Sequence, residues 1–147
     1  MGMFTAFNIN ASGMTAQRYR MDIIAENVAN ANTTRTADGT PYRRKVVTFA
    51  EKDTQTPFSR VLNKERDNYT GKGVKIVSVT EDNVTPTNMV YDPSHPDADE
   101  NGYVTYPNVN IVTEMTNLID ASRSYEANAT AFEASKNIAL KGLQIGQ

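Results

Sequence analysis

The sequence predicts an α+β chain in which two long terminal helices flank a small β-rich middle region. Two heptad stripes, one near each end, predict the helices. A stretch of β-branched residues broken by glycine and proline turns predicts the middle. At 147 residues the chain is long enough for one domain and short for two.

The first stripe places Phe7, Met14, Met21 and Val28 seven apart, with Ile24 and Ala31 in the second seam position. A period of 3.5 residues is that of a helix with one apolar seam, here about 28 residues or roughly 42 Å long. Arg18, Arg20, Asp22 and Glu26 occupy its flanks and opposite face. Asn30 and Asn32 stop it near residue 32, because Asn tolerates the left-handed conformation of a helix end. The second stripe follows Pro107. Ile111, Met115, Leu118, Ser122, Tyr125, Ala129, Phe132, Lys136, Ala139 and Leu143 advance by fours and threes, interrupted only by Ser122 and Lys136. This helix would run about 38 residues, roughly 57 Å, with Asn108 or Asn110 as its cap and Glu114 in its first turn. The longer helix carries seam that the shorter one does not cover, which is the pattern of a coiled-coil assembly subunit.

Between the helices, Tyr42–Phe49 and Gly73–Val79 read as strands, with Asn88–Tyr91 and Tyr103–Tyr106 as weaker candidates. Ser59–Asp67 reads as a short helix or a loop. Asp38-Gly39, Gly71-Lys72-Gly73 and Asp92–Gly102 mark turns. The boundaries are then residues 1–34 for the N-terminal helix, 35–107 for the middle and 108–147 for the C-terminal helix.

Composition narrows the function. The net charge of −2 gives no reason to expect nucleic acid. No apolar run is long enough to insert into a membrane, and the N-terminus lacks the basic and apolar regions of a cleaved signal peptide. Without cysteine there is no disulfide, thiolate catalysis or cysteine-held metal. Leu, Ile, Val and Phe together number only 29, against 15 Asn and 17 Thr. So little apolar area barely offsets the roughly 1–2 kcal/mol per residue lost on ordering a backbone, and partner subunits are expected to supply part of the core.

Charge is segregated. Residues 35–75 hold ten basic and five acidic residues, whereas residues 81–120 hold eight acidic residues and no Lys or Arg. Two solvated surfaces would explain this. So would a complementary contact between copies, with Arg43, Arg44 and Lys45 on one side and Asp97, Asp99 and Glu100 on the other. The chemical inventory points away from an enzyme and from any small-molecule substrate or cofactor. The only histidine, His95, lies between Pro93 and Pro96 in a turn, and Gly71 and Gly73 lack the rest of a phosphate-binding motif. Asp97-Ala98-Asp99-Glu100-Asn101-Gly102 matches the opening of an EF-hand loop, but its twelfth position is Asn108 rather than Glu, so a tight turn is the better reading.

Four stretches resemble the basal-body rod proteins of the bacterial flagellum. Ala11–Thr34 is similar to the rod signature, with Ser12-Gly13 opening it and Asn27-Val28-Ala29-Asn30 and Asn32-Thr33 closing it. Gly39–Phe49 and Val90–Met115, with the short total length, resemble the proximal members of the family. Ala121–Gly146 resembles its terminal helix. Met14, Glu26 and Val28 depart mildly from the commoner residues.

The resemblance implies that the two helices pack as an antiparallel coiled coil lining a helical tube, with the middle region outside. It implies export through the flagellar type III system and assembly with copies of itself and other rod proteins in the periplasm or cell wall. The rod would transmit torque and house the export lumen. Asn27 and Asn30 would share a face suited to repeated contacts, or simply end the helix. Gly13 would permit close packing or a kink, with close packing preferred. The rival from another class is a coiled-coil adaptor of a different secretion assembly.

Overall fold

The computed structural model describes residues 3–52, 58 and 71–145; the ambiguous Ser59–Asp67 lies outside them. Among the described residues two long helices, α1 (Met3–Ala29) and α2 (Ile111–Ile145), bracket four strands: β1 (Lys45–Glu51), β2 (Val74–Glu81), β3 (Asn88–Tyr91) and β4 (Tyr103–Tyr106). No helix among the described residues is long and apolar enough to cross a membrane. The chain is α+β, as its pattern predicts.

It forms two compact units. The first comprises Met1–Arg18, Phe49–Val77 and Ser122–Gln147; the second comprises Tyr19–Thr48 and Ser78–Ala121. Each helix and each of β1 and β2 contributes to both.

In the first unit the Phe7 ring meets Phe132 edge-on, with centroids 5.0 Å apart. Six residues along α1, a Cβ built on Gly13 would come within 2.7 Å of Asn128 Oδ1. Partner numbers fall as α1 numbers rise, so the helices run antiparallel here. Thirteen residues of α2 follow Phe132, whereas four residues of α1 precede Phe7. The excess length of α2 leaves Ile138, Leu140 and Leu143 exposed.

In the second unit Ala31, Tyr42 and Val109 form a small core cluster, and Ile24, Val104 and Ala121 are also buried. Two two-stranded sheets complete the middle region: β1 with β2, and β3 with β4. The β3–β4 hairpin is antiparallel, with Val90 opposite Val104 and Tyr91 opposite Tyr103. Lys52 N donates to Gly73 O at one end of the other sheet, and Asp82 N donates to Arg44 O at its other end, so β1 and β2 are antiparallel as well.

Boundaries moved where side chains serve other purposes. β1 begins at Lys45, not Tyr42, because the Tyr42 ring is spent on the core and its hydroxyl on α1. α1 ends at Ala29. Asn30 then closes the helix by donating from Nδ2 to Glu26 O, and its Oδ1 accepts from Thr33 Oγ1. At the head of α2, Asn110 is the cap, accepting from Thr113 N. Asn108 is used elsewhere.

The seam of α2 is also corrected. Leu118, Tyr125, Phe132 and Ala139 are at least half-covered, as their spacing predicts. At the second seam position Ser122 and Ala129 are half-covered as their spacing predicts, but the residues one earlier, Glu114, Ala121, Asn128 and Ser135, are covered as well. Met115, Lys136, Ile111 and Leu143 are exposed. The covered position uses small or hydrogen-bonding residues that let another element approach, and the large apolar residues turn outward. On α1, Phe7, Met14, Met21 and Val28 are half-buried and Ile24 and Ala31 buried, while Arg18 and Asp22 face water.

Candidate functional site

Two clusters carry the residues that the sequence singles out, one in each unit. In the second unit the centre is Asn27, 1% exposed. Its Oδ1 accepts from Tyr42 Oη and from Lys45 N, both at 2.9 Å. Its Nδ2 donates to Lys45 O at 2.9 Å and to Glu114 Oε2 at 3.0 Å. Every hydrogen bond the amide can make is therefore used within the chain. The expectation that Asn27 faces a neighbouring copy is corrected: it ties α1 to β1 and to α2. Asn30 caps the helix, and Asn32 is exposed.

Glu114 is equally buried. Its Oε1 accepts from Arg44 Nε at 2.8 Å, and its Oε2 accepts from Asn27. Arg44 also lies 3.7 Å from Asp82. Asn108, 7% exposed, joins the loops around them: its Oδ1 accepts from Arg44 N, and its Nδ2 donates to Asp82 O and Thr85 O. Asp82 is held below the usual carboxylate range, first by hydrogen bonds from Thr85 and then by Val84 N and Arg44.

Burial, then the carboxylates of Glu26, Glu81 and Glu114, push the Tyr42 hydroxyl up to about 12 from its ordinary 10.0. The folded pKa is the higher one, so this contribution to stability is complete below pH 10 and is lost as pH rises toward 12. Alkaline unfolding of the purified chain should show this loss. In Tyr42→Phe the steepening between pH 10 and 12 should vanish, with stability at pH 7 about 1 kcal/mol lower for the lost hydrogen bond.

The basic triplet proves unequal. Arg44 pairs with Glu114 and Asp82, and Lys45 pairs with Glu26 while its ammonium lies 5.7 Å from the Tyr42 ring centre. Reversing either charge strikes the fold before any contact between copies. Arg43, half-exposed, is the member of the triplet with no ion pair among the described residues. On the acidic side, Asp97 is engaged by Thr34 Oγ1 at 2.8 Å and Arg35 at 3.5 Å. Asp99 Oδ1 accepts from Asn101 N and Tyr103 N, making the β3–β4 connection a tight turn. Glu100 is exposed.

The first unit holds the other cluster. Ser12 Oγ donates to Ile9 O at 2.7 Å and accepts from Val74 N at 3.0 Å, tying α1 to the start of β2. Gly73 has φ +97°, a conformation that L side chains rarely adopt, and a Cβ there would lie 2.1 Å from Ser12 Oγ. Gly13 gives way to Asn128 on α2. Ser12, Gly13 and Gly73 thus form one packing knot between two elements and α1.

Glu114, Tyr42, Asn108 and Asn128 were missed as site residues. For Glu114 and Asn128 a signal existed: both share the heptad of Ala121, one residue before the apolar positions. Tyr42 and Asn108 carry no such periodic mark.

Two family models match the chain: "Flagella basal body rod protein" over residues 7–35 and "Flagellar basal body rod FlgEFG protein C-terminal" over residues 100–145. They cover most of α1 and α2. Among curated proteins, the flagellar basal-body rod protein FlgC of Bacillus subtilis is 44% identical, with 100% of each chain covered. That of Borreliella burgdorferi is 43% identical over 100% of this chain and 99% of the relative. That of Salmonella typhimurium is 40% identical over the whole of both. Identity of this order along the entire length places the chain in the FlgC family of flagellar basal-body rod proteins, structural subunits rather than enzymes.

Proposed function

We propose that the chain works as one of many copies in the proximal rod, with α1 and α2 packed as an antiparallel coiled coil along the lumen and the strands outside. The observation that carries this is the outward face of α2. Ile111, Val112, Met115, Ile119, Leu140 and Leu143 are all exposed, at 43–75%. Scattered exposed apolar residues are ordinary, but a series along one helix marks an interaction surface. Neighbouring rod proteins and other copies would cover it, supplying the apolar burial that the composition lacks. On this reading Ile111, Met115 and Leu143 serve contacts between subunits, while Phe7, Met14, Met21, Ile24, Val28, Leu118, Tyr125 and Phe132 serve contacts within one.

The subunit is exported by the flagellar type III apparatus without a cleaved signal peptide, then assembles in the periplasm or cell wall. It passes torque outward around an open lumen. Residues 1–34 and 108–147 act as one helical domain and residues 35–107 as the outer part. An adaptor would form a small closed oligomer instead.

Mass spectrometry of purified basal bodies, beside motility of a deletion strain, tests the assignment. The chain should appear in the rod fraction, and the deletion should not swim. Normal swimming with the chain absent from rods would move the adaptor reading to first place. A narrower test is Gly13→Leu, whose side chain would occupy the space of Asn128. Expression should be unchanged and incorporation into basal bodies should fall at least tenfold; normal incorporation would show that the close approach is dispensable.

A further inference from the structure

The first unit contains a groove of about 710 Å³ between α1 and β2, lined by Thr5, Asn8, Thr15, Lys52, Lys72 and Lys75 among others. None of its described lining residues is acidic. Lys52 and Lys75 are exposed and make no ion pair among the described residues. The second unit holds the opposite charge in a compact form. On the β3–β4 loop, Asp92, Asp99 and Glu100 are paired with no Lys or Arg among the described residues, whereas Asp97 is spent on Arg35. That loop is pre-formed. Asp92 Oδ1 accepts from Ser94 N and Oγ, Asp99 Oδ1 accepts from two backbone amides, and Asp92 N donates to Gly102 O. The hydrogen bonds from Ser94 also hold the Asp92 carboxyl below the usual range, so it is charged throughout the physiological span.

We propose that the lysine-lined groove of one copy receives the acidic β3–β4 loop of a second copy. A rigid loop loses little conformational freedom on docking, and complementary charge fixes which surface meets which. Because groove and loop are different surfaces, the contact is heterologous, the kind of contact that can repeat from copy to copy along a helical rod. The inference rests on the rod reading above, and it relocates the charged contact from Arg44 and Lys45, which are committed internally, to Lys52 and Lys75.

The absence of native cysteine makes the test clean. Cells would co-express two single-cysteine variants, Lys75→Cys and Glu100→Cys, and purified basal bodies would be oxidised and analysed by mass spectrometry. A disulfide joining positions 75 and 100 of different copies is expected, with none in a control pairing Asp22→Cys with Glu100→Cys. In parallel, Lys52→Glu with Lys75→Glu should reduce incorporation at least tenfold, and adding Glu100→Lys should restore it in part. Rods that contain the protein but show no such disulfide would overturn the groove contact and leave the rod reading standing. Undiminished incorporation of the double charge reversal would overturn it as well, even were the cysteine variants excluded from rods. An intramolecular 75–100 disulfide in the dilute double-cysteine chain would also refute it. Absence of the wild-type chain from basal bodies would remove the rod reading and this contact together.

Discussion

Glu114→Ala should lower the stability of the purified chain by about 3 kcal/mol, near the low end of what removing one partner of a buried ion pair costs. The low end applies because Arg44 keeps Asp82 at 3.7 Å and is 26% exposed, so its charge is not stranded. The Asn27 amide fares worse. Its Oδ1 is fixed by Tyr42 and Lys45, so it is unable to rotate to find another acceptor. For a chain of this size the shift in Tm is roughly 6–12 °C, read by circular dichroism. Glu114→Gln separates charge from hydrogen bonding. One amide oxygen serves either Arg44 Nε or Asn27 Nδ2 but not both, because its NH₂ would meet a donor. A loss of roughly 1–2 kcal/mol is expected. Glu114→Ala within 1 kcal/mol of wild type would show that the polar junction does not hold the second unit.

Gly73→Ala should be comparably damaging, for reasons of backbone and space rather than charge. A non-glycine residue at φ +97° costs about 1–3 kcal/mol by itself. The new Cβ would also displace Ser12 Oγ, and with it the bond to Val74 N, worth about 1 kcal/mol. A total of roughly 2–4 kcal/mol follows, measurable by urea unfolding. The two contributions separate in a double-mutant cycle. Ser12→Ala alone should cost about 1 kcal/mol. Combined with Gly73→Ala it should cost less than the sum, because the 2.1 Å contact with Ser12 Oγ is gone, leaving the backbone strain and the milder approaches to residue 12 Cβ at 3.1 Å and Ile9 Cα at 3.3 Å. Strict additivity would mean that the loop already moves aside.

Much of the fold is legible in the sequence, and the failures share a cause. β3 and β4 fall on the residues their pattern predicts, because their turns are marked by Asp, Pro and Gly and little else competes. Both helices fall where the heptads put them, within a few residues. What the pattern leaves open is which apolar side chains of α2 its own chain covers. A stripe drawn through the largest apolar side chains selects Ile111, Met115 and Leu143, which face outward, and passes over Glu114 and Asn128, which face in. Periodicity reports that a helix is amphipathic but not which apolar face is covered by its own chain. The candidate site suffered more. Asn27 and Gly13 stand out because they sit in a recognisable run, yet the partners that define them, Glu114 and Asn128, lie 87 and 115 positions away, and their heptad spacing with Ala121 does not say which residue each one meets. Arg44 and Lys45 looked like surface charge because a basic run in a strand usually is; only the fold shows that the acids of α1 and α2 wait for them.

The placement of a carboxylate on the α2 seam has a mechanical consequence. Sliding one helix past the other by a heptad exchanges like for like in an all-apolar seam, so such a seam specifies its register weakly. In the second unit that exchange would bring Ala121 to the place of Glu114 and remove one acceptor each from Asn27 and Arg44, which would keep only Lys45 O and Asp82. One register is therefore far below the next. The register of α1 against α2 in the second unit is thus set by a few directed hydrogen bonds and not by apolar contact alone.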